Sequence, residues 1–210
     1  MRGLFITGTD TNVGKTYVSA AIIARYDNVT YWKPIQTGIE SDDDTKQVAL
    51  LAEAEGRVID VGFRLPLPLS PHLSARLAGV TIELKEVLSL VSFKGDSALV
   101  VEGAGGLLVP INEREKIADL IVALKLPVVI VARTTLGTIN HTLLTLEACL
   151  RRSIEVACVV MSGRPNKDNK EAIEEYGKVK VLELPYFESG NFSLWARQVF
   201  DSESFLERYL

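Results

Sequence analysis

The 210-residue chain is 47% hydrophobic, enough for a packed interior, and its 23 basic and 27 acidic residues give a net charge of −4. That balance offers no electrostatic capture of nucleic acid or of an anionic membrane surface. Two cysteines, Cys149 and Cys158, are too few for a disulfide framework and point to a reducing compartment.

Met1-Arg2-Gly3 runs straight into the apolar Leu4-Phe5-Ile6, a short buried strand. This leaves no room for a signal peptide, so a soluble cytoplasmic protein is the expectation. Gly8-Thr9-Asp10-Thr11-Asn12-Val13-Gly14-Lys15-Thr16 follows, and Tyr17 to Ala24 reads as a helix. A strand, a glycine-rich turn and Gly-Lys-Thr at a helix start make a phosphate cradle. Glycines let the backbone wrap an anion, and the helix N-terminus aims unpaired N–H groups at it. In such a loop Lys15 reaches the β- and γ-phosphates and the Thr16 hydroxyl sits on Mg²⁺. Five residues separate Gly8 from Gly14, where the common motif has four.

Val29 to Trp32 reads as the second strand and delivers Lys33-Pro34-Ile35-Gln36-Thr37-Gly38. A lysine at the end of a buried strand is costly unless its charge has a partner. The run Ser41-Asp42-Asp43-Asp44 opens a helix that continues through Val48 to Ala52. Carboxylates at a helix N-terminus act as caps, and one or two carboxylates also suit Mg²⁺ beside phosphates. Position alone favours capping, and one aspartate can serve both purposes. Leu65 to Pro71 is a proline-rich loop, followed by His72 and then a helix near Ile82 to Val91.

Ala98-Leu99-Val100-Val101 is an apolar strand, and Glu102-Gly103-Ala104-Gly105-Gly106 after it reads as a second phosphate-adjacent turn. Thr16, one aspartate and Glu102 together supply three oxygen ligands for one Mg²⁺. Ile117 to Leu124 is a helix and Val128 to Val131 a strand. The stretch Leu120 to Ala132 is broken by Lys125 and Pro127 and is too short to span a bilayer. Leu136 to Thr142 is another strand-to-helix turn, whose free N–H groups suit a carboxylate. His141 within it has no partner spaced for a zinc site. Thr138 to Leu150 is a helix, Val156 to Met161 a strand, Lys170 to Tyr176 a helix, and Val179 to Leu184 a strand. Strands apolar on both faces, alternating with helices, predict one doubly wound α/β domain over residues 1–210. Its mainly parallel sheet is covered on both faces in the manner of P-loop NTPases, and ligands bind beyond the carboxyl ends of such strands.

The segments GTDTNVGKT, KPIQTG, SPHLSA, VEGAGGLLVPI and LGTINHTLLTLEA closely resemble the dethiobiotin synthetase family, in that family's order, from residue 3 to about residue 150. The five-residue spacing inside the phosphate loop is part of the likeness. The resemblance implies a cyclo-ligase of biotin biosynthesis that uses ATP and Mg²⁺ to close a cyclic urea from 7,8-diaminopelargonate and CO₂. A carbamate and a carbamic–phosphoric anhydride are its intermediates. It implies that Lys15 and Lys33 are catalytic, and that Thr16, Asp44 and Glu102 bind the metal. For the nucleotide it implies Asn12, Val13, Gly14, Lys15, Thr16, Tyr17, Asp44 and Glu102, then Gly103, Ala104, Gly105, Ser162, Gly163, Pro185 and Tyr186. For the substrate it implies Thr11, Lys33, Thr37 and the turn Gly137, Thr138, Ile139 and Asn140. That turn would hold the substrate carboxylate of a neighbouring subunit in a homodimer. Where family members often carry an adenine-reading Asn, this chain has Ser162. A serine lacks the paired donor and acceptor of an amide, so weak base selectivity is expected. A partition-type P-loop ATPase switch is the alternative, but its signature lysine after the first glycine is here Thr9. A cobyrinate-type amide ligase needs a glutaminase domain that this length cannot hold.

Overall fold

The computed structural model describes residues 2–90, 97–200 and 204–210. In chain order the elements are β1 (Gly3–Gly8), α1 (Lys15–Arg25), β2 (Val29–Trp32), β3 (Ile35–Thr37), α2 (Asp44–Leu51), β4 (Val58–Ile59), β5 (Phe63–Leu65), α3 (Pro71–Leu77) and α4 (Leu84–Ser89). They continue as β6 (Ala98–Gly106), α5 (Ile117–Leu124), β7 (Val128–Arg133), α6 (Thr138–Leu150), β8 (Val156–Ser162), α7 (Lys167–Gly177), β9 (Val181–Leu184) and α8 (Phe192–Phe200).

Seven strands form one sheet in the order β4-β2-β6-β1-β7-β8-β9, and neighbouring strands are parallel. Alternate residues of each strand face opposite sides. Leu4, Ile6, Tyr31, Val100, Val129 and Val160 join α1, α2 and α8 in one apolar layer. Phe5, Trp32, Val101, Ile130 and Met161 build the other layer beneath α3 to α7. A sheet apolar on both faces with helices on both is the doubly wound arrangement the sequence predicts.

Several boundaries differ from the sequence reading. The expected turn at Glu102 is strand: β6 runs on to Gly106. Glycine makes this possible, because a Cβ on Gly103 would lie 2.9 Å from the Phe5 ring, and one on Gly106 would lie 3.2 Å from the Gly8 carbonyl oxygen. The proline-rich loop is shorter than expected. Leu65 closes β5, which among the described residues pairs only with β3, and Pro71 opens α3. Proline fits the first helical turn, where its missing N–H has no intrahelical partner. The helix expected near Ile82 is α4, and Val91 lies outside the described residues. The helix expected from Lys170 begins at Lys167, because the Asn166 side chain caps it by accepting from Asn169 N–H.

Candidate active site

Three strand ends and two helix starts converge at the carboxyl edge of the sheet. The loop between β1 and α1 holds Gly14 at φ 97 and Asn12 at φ 57, left-handed conformations that suit glycine and asparagine. Gly14 also packs so closely on Ser162 that a Cβ would lie 2.6 Å from the serine Oγ. No side chain caps α1, so its first N–H groups remain available to an anion. Lys15 is buried and its Nζ lies 3.3 Å from the Asp10 carbonyl oxygen. Burial pulls its pKa below the ordinary lysine value despite the nearby Glu102 carboxylate. Asp10 is ion-paired with Arg133 of β7 and accepts from Thr11 N–H at 2.7 Å, which ties the loop to the sheet.

Lys33 follows β2 and is 4% exposed. Its ammonium donates to Asp44 Oδ2 and, at 2.9 Å, to Glu102 Oε1. Burial opposes the charge, but the two carboxylates outweigh it and hold the lysine pKa above its ordinary value. The aspartate run divides its work. Asp43 is the N-cap of α2, accepting from Lys46 N–H at 3.1 Å, while Asp44 turns into the site. Burial of Asp44 is offset by Lys33, which holds its carboxyl below the usual range. The Thr16 hydroxyl lies 2.7 Å from Asp44 Oδ1 and 3.1 Å from Glu102 Oε1. Glu102 is fully buried. Its Oε2 accepts from Ser19 at 2.9 Å and from Tyr31 at 3.0 Å.

These groups face a cavity of about 750 Å³. Thr11, Asn12, Gly14, Lys15, Thr16 and Tyr17 line one side of it, and Lys33, Thr37, Asp44, Glu102, Ala104 and Gly105 the other. Of the remaining predicted residues, Val13 is buried in the core and Gly103 lies within β6. Ser162 ends β8 against Gly14, and Gly163 N–H donates to the Leu184 carbonyl at 3.0 Å. Tyr17 hydroxyl contacts the Pro185 carbonyl at 3.4 Å, and Tyr186 is 65% exposed. Gly137, Thr138, Ile139 and Asn140 open α6 after β7 and do not line the cavity. Gly137 has φ 93, and Thr138 donates to the Arg133 carbonyl at 2.6 Å.

The sequence reading did not single out Ser19 and Tyr31. Both carried a spacing signal. Ser19 is one helical turn beyond Lys15, and Tyr31 shares a strand face with Lys33. Among the described residues no three His, Cys, Asp or Glu side chains form a metal cluster. Two carboxylates and a hydroxyl therefore converge without making a closed cage, a donor set that suits Mg²⁺ shared with phosphate oxygens.

An AAA domain family model matches residues 2–189. An ATP-dependent dethiobiotin synthetase BioD from Paramagnetospirillum magneticum is 51% identical over 87% of this chain and 86% of its own length. The chain belongs to the dethiobiotin synthetase family. Membership makes it an enzyme, a cyclo-ligase of biotin biosynthesis. A biotin biosynthesis bifunctional protein BioCD from Bordetella avium is 45% identical over 98% of this chain and 44% of that longer protein. A ParA family ATPase from Chlorobium tepidum TLS superposes with TM-score 0.53 at 11% identity, covering 100% of this chain and 97% of that one. This last likeness concerns the fold alone, and it agrees with a P-loop NTPase architecture. No helix among the described residues is long and apolar enough to cross a membrane.

Proposed function

We propose that this chain is a one-domain, cytoplasmic synthetase that forms dethiobiotin from 7,8-diaminopelargonate, CO₂ and ATP with Mg²⁺. The observation that carries the reading is the convergence of Lys15, Lys33, Thr16, Asp44 and Glu102 on one cavity at the end of a phosphate loop. One amine of the substrate takes up CO₂ as a carbamate. The carbamate oxygen attacks the γ-phosphorus, the β–γ bridging bond breaks and ADP leaves. The second amine then attacks the carbamoyl carbon and expels phosphate, closing the ring.

The chain's residues suit each step. Phosphoryl transfer is catalysed largely by positioning and by stabilising charge on the moving oxygens. Lys15 and the first turn of α1 hold the triphosphate, and Lys33 neutralises the anionic carbamate as it approaches. Thr16, Asp44 and Glu102 would hold Mg²⁺, which when bound neutralises charge on β- and γ-oxygens. Thr11 and Thr37 flank the diamine. The rim at Ser162, Gly163, Pro185 and Tyr186 receives the base. The substrate carboxylate is held by the Gly137–Asn140 turn of a second copy. Gly137 and Asn140 are exposed, and Leu136 beside them is 99% exposed.

Phosphate release from ATP, measured with and without the diamine and bicarbonate, tests the reading. Release that needs both supports it. Release indifferent to the diamine but stimulated by DNA or lipid contradicts it. Light scattering tests the homodimer: a fully active monomer at assay concentration rules out a shared site.

A further inference from the structure

The buried carboxylate of Glu102 is held from both ends. Oε1 faces the cavity, where Lys33 and Thr16 meet it at 2.9 and 3.1 Å. Oε2 faces away and receives Ser19 at 2.9 Å and Tyr31 at 3.0 Å. Glu102, Ser19 and Tyr31 are all fully buried. They come from three elements: β6, α1 and β2. The strand register explains the meeting. Tyr31 pairs with Val100, so Glu102 lies two residues further along the same face of β6, beneath α1. Ser19 closes the position from above.

We propose that Ser19 and Tyr31 are positioning residues for the metal shell. By occupying Oε2, they leave Glu102 a single oxygen to present. The proposal rests on the reading that Glu102 belongs to that shell. Its physical basis is the cost of leaving a buried acceptor unpaired. Without its two donors, Oε2 must find others, and the nearest on the far side of the carboxylate are Lys33 and Thr16. The carboxylate then turns toward the ammonium, and Lys33 retains both oxygens against an incoming cation. Neither Ser19 nor Tyr31 lines the cavity, so they act only through Glu102. Outer partners of this kind typically govern metal affinity by 10–100-fold.

The test is Mn²⁺ affinity of the ADP complex, read by electron paramagnetic resonance, for wild type, Y31F, S19A and E102Q. ADP affinity without metal and the melting temperature are followed in parallel. Y31F and S19A should each weaken Mn²⁺ binding ~10-fold or more while leaving metal-free ADP binding unchanged. A hydrogen bond that served only the fold would lower the melting temperature of both variants without moving Mn²⁺ affinity. Y31F and S19A binding Mn²⁺ like wild type or more tightly, while E102Q binds weakly, overturns the positioning role alone. Wild-type Mn²⁺ affinity in E102Q overturns the metal assignment and the positioning role with it. If Y31F does not fold, S19A, which removes one oxygen atom, decides the matter.

Discussion

The inner end of the cavity and its outer rim are built on different principles. At the inner end Lys15, Lys33, Asp44 and Glu102 are all less than 9% exposed, two cations against two anions. Lys33, Asp44 and Glu102 each engage at least two polar partners. At the rim, the Tyr17 hydroxyl accepts from Phe187 N–H, and Tyr17 packs its ring 5.5 Å from Phe192 and 5.5 Å from Trp195. Ser162 and Gly163, which lie behind Gly14 and do not themselves line the cavity, offer one small side chain and backbone. Charge buried in pairs fixes positions because any change leaves an uncompensated ion. A rim of backbone and aromatic packing fixes shape but carries little hydrogen-bond code. The difference predicts strict chemistry at the phosphates and permissive recognition of the base.

The largest effect should come from Lys33. K33A should reduce turnover ~10²-fold or more, the scale of losing one preorganised donor. It also leaves Asp44 and Glu102 without their shared cation, a loss of roughly 3 kcal/mol, or a melting temperature lower by about 10 °C in a chain of this size. Calorimetry in metal-free buffer checks this, and a variant as stable and active as wild type would place Lys33 outside the charged cluster.

Lys15 should behave in the opposite sense. Its pKa is depressed by burial, so its charge costs the folded state free energy at neutral pH. K15M should abolish turnover yet melt no lower than wild type. As pH rises through the depressed folded pKa toward the unfolded value of 10.5, the native lysine sheds its proton first and wild-type stability rises. The gap between the two proteins should therefore close in that window. For Lys33, whose pKa is raised, stability is present below the unfolded value of 10.5 and is lost as pH rises through the folded pKa. Thermal melts across alkaline pH separate the two.

Asp43 and Asp44 sharpen the contrast within one run of sequence. D43A removes a helix cap and should cost about 1 kcal/mol with turnover retained. D44N should eliminate metal-dependent turnover. Equal loss of turnover in both would show that the run acts as one cluster. The smallest effect belongs to the rim. kcat/KM for ATP, GTP and CTP should be of similar size, and a preference for ATP above ~100-fold, roughly 2.7 kcal/mol, would show that the rim reads the base.

The inner end was the more legible region because charge within apolar strands is conspicuous. Glu102 after four apolar residues and Lys33 after β2 announced themselves as charges at the ends of buried strands; the register that sets Glu102 beneath α1 came only with the structure. Ser19 and Tyr31 escaped notice because a serine in a helix and a tyrosine in a strand are ordinary core residues, and their spacing from Lys15 and Lys33 gains meaning only through their shared partner, Glu102. β3 and β5 are three residues each and flanked by proline or glycine, too short for a periodic signal. Helix α3 was obscured because Pro71 reads as a breaker when it stands at a helix start. In α8, Phe192, Trp195, Ala196 and Val199 recur at helical spacing and pack beside α1, a pattern visible in sequence but outside the segments that carry the family resemblance.

The central claim is that this cluster transfers a phosphoryl group to a carbamate oxygen. Incubation with ¹⁸O-labelled bicarbonate, diamine and unlabelled ATP, followed by mass spectrometry of the released phosphate, tests it most directly. The account predicts one ¹⁸O atom in each phosphate released with dethiobiotin. Phosphate without label, formed at the same rate as dethiobiotin, would contradict it.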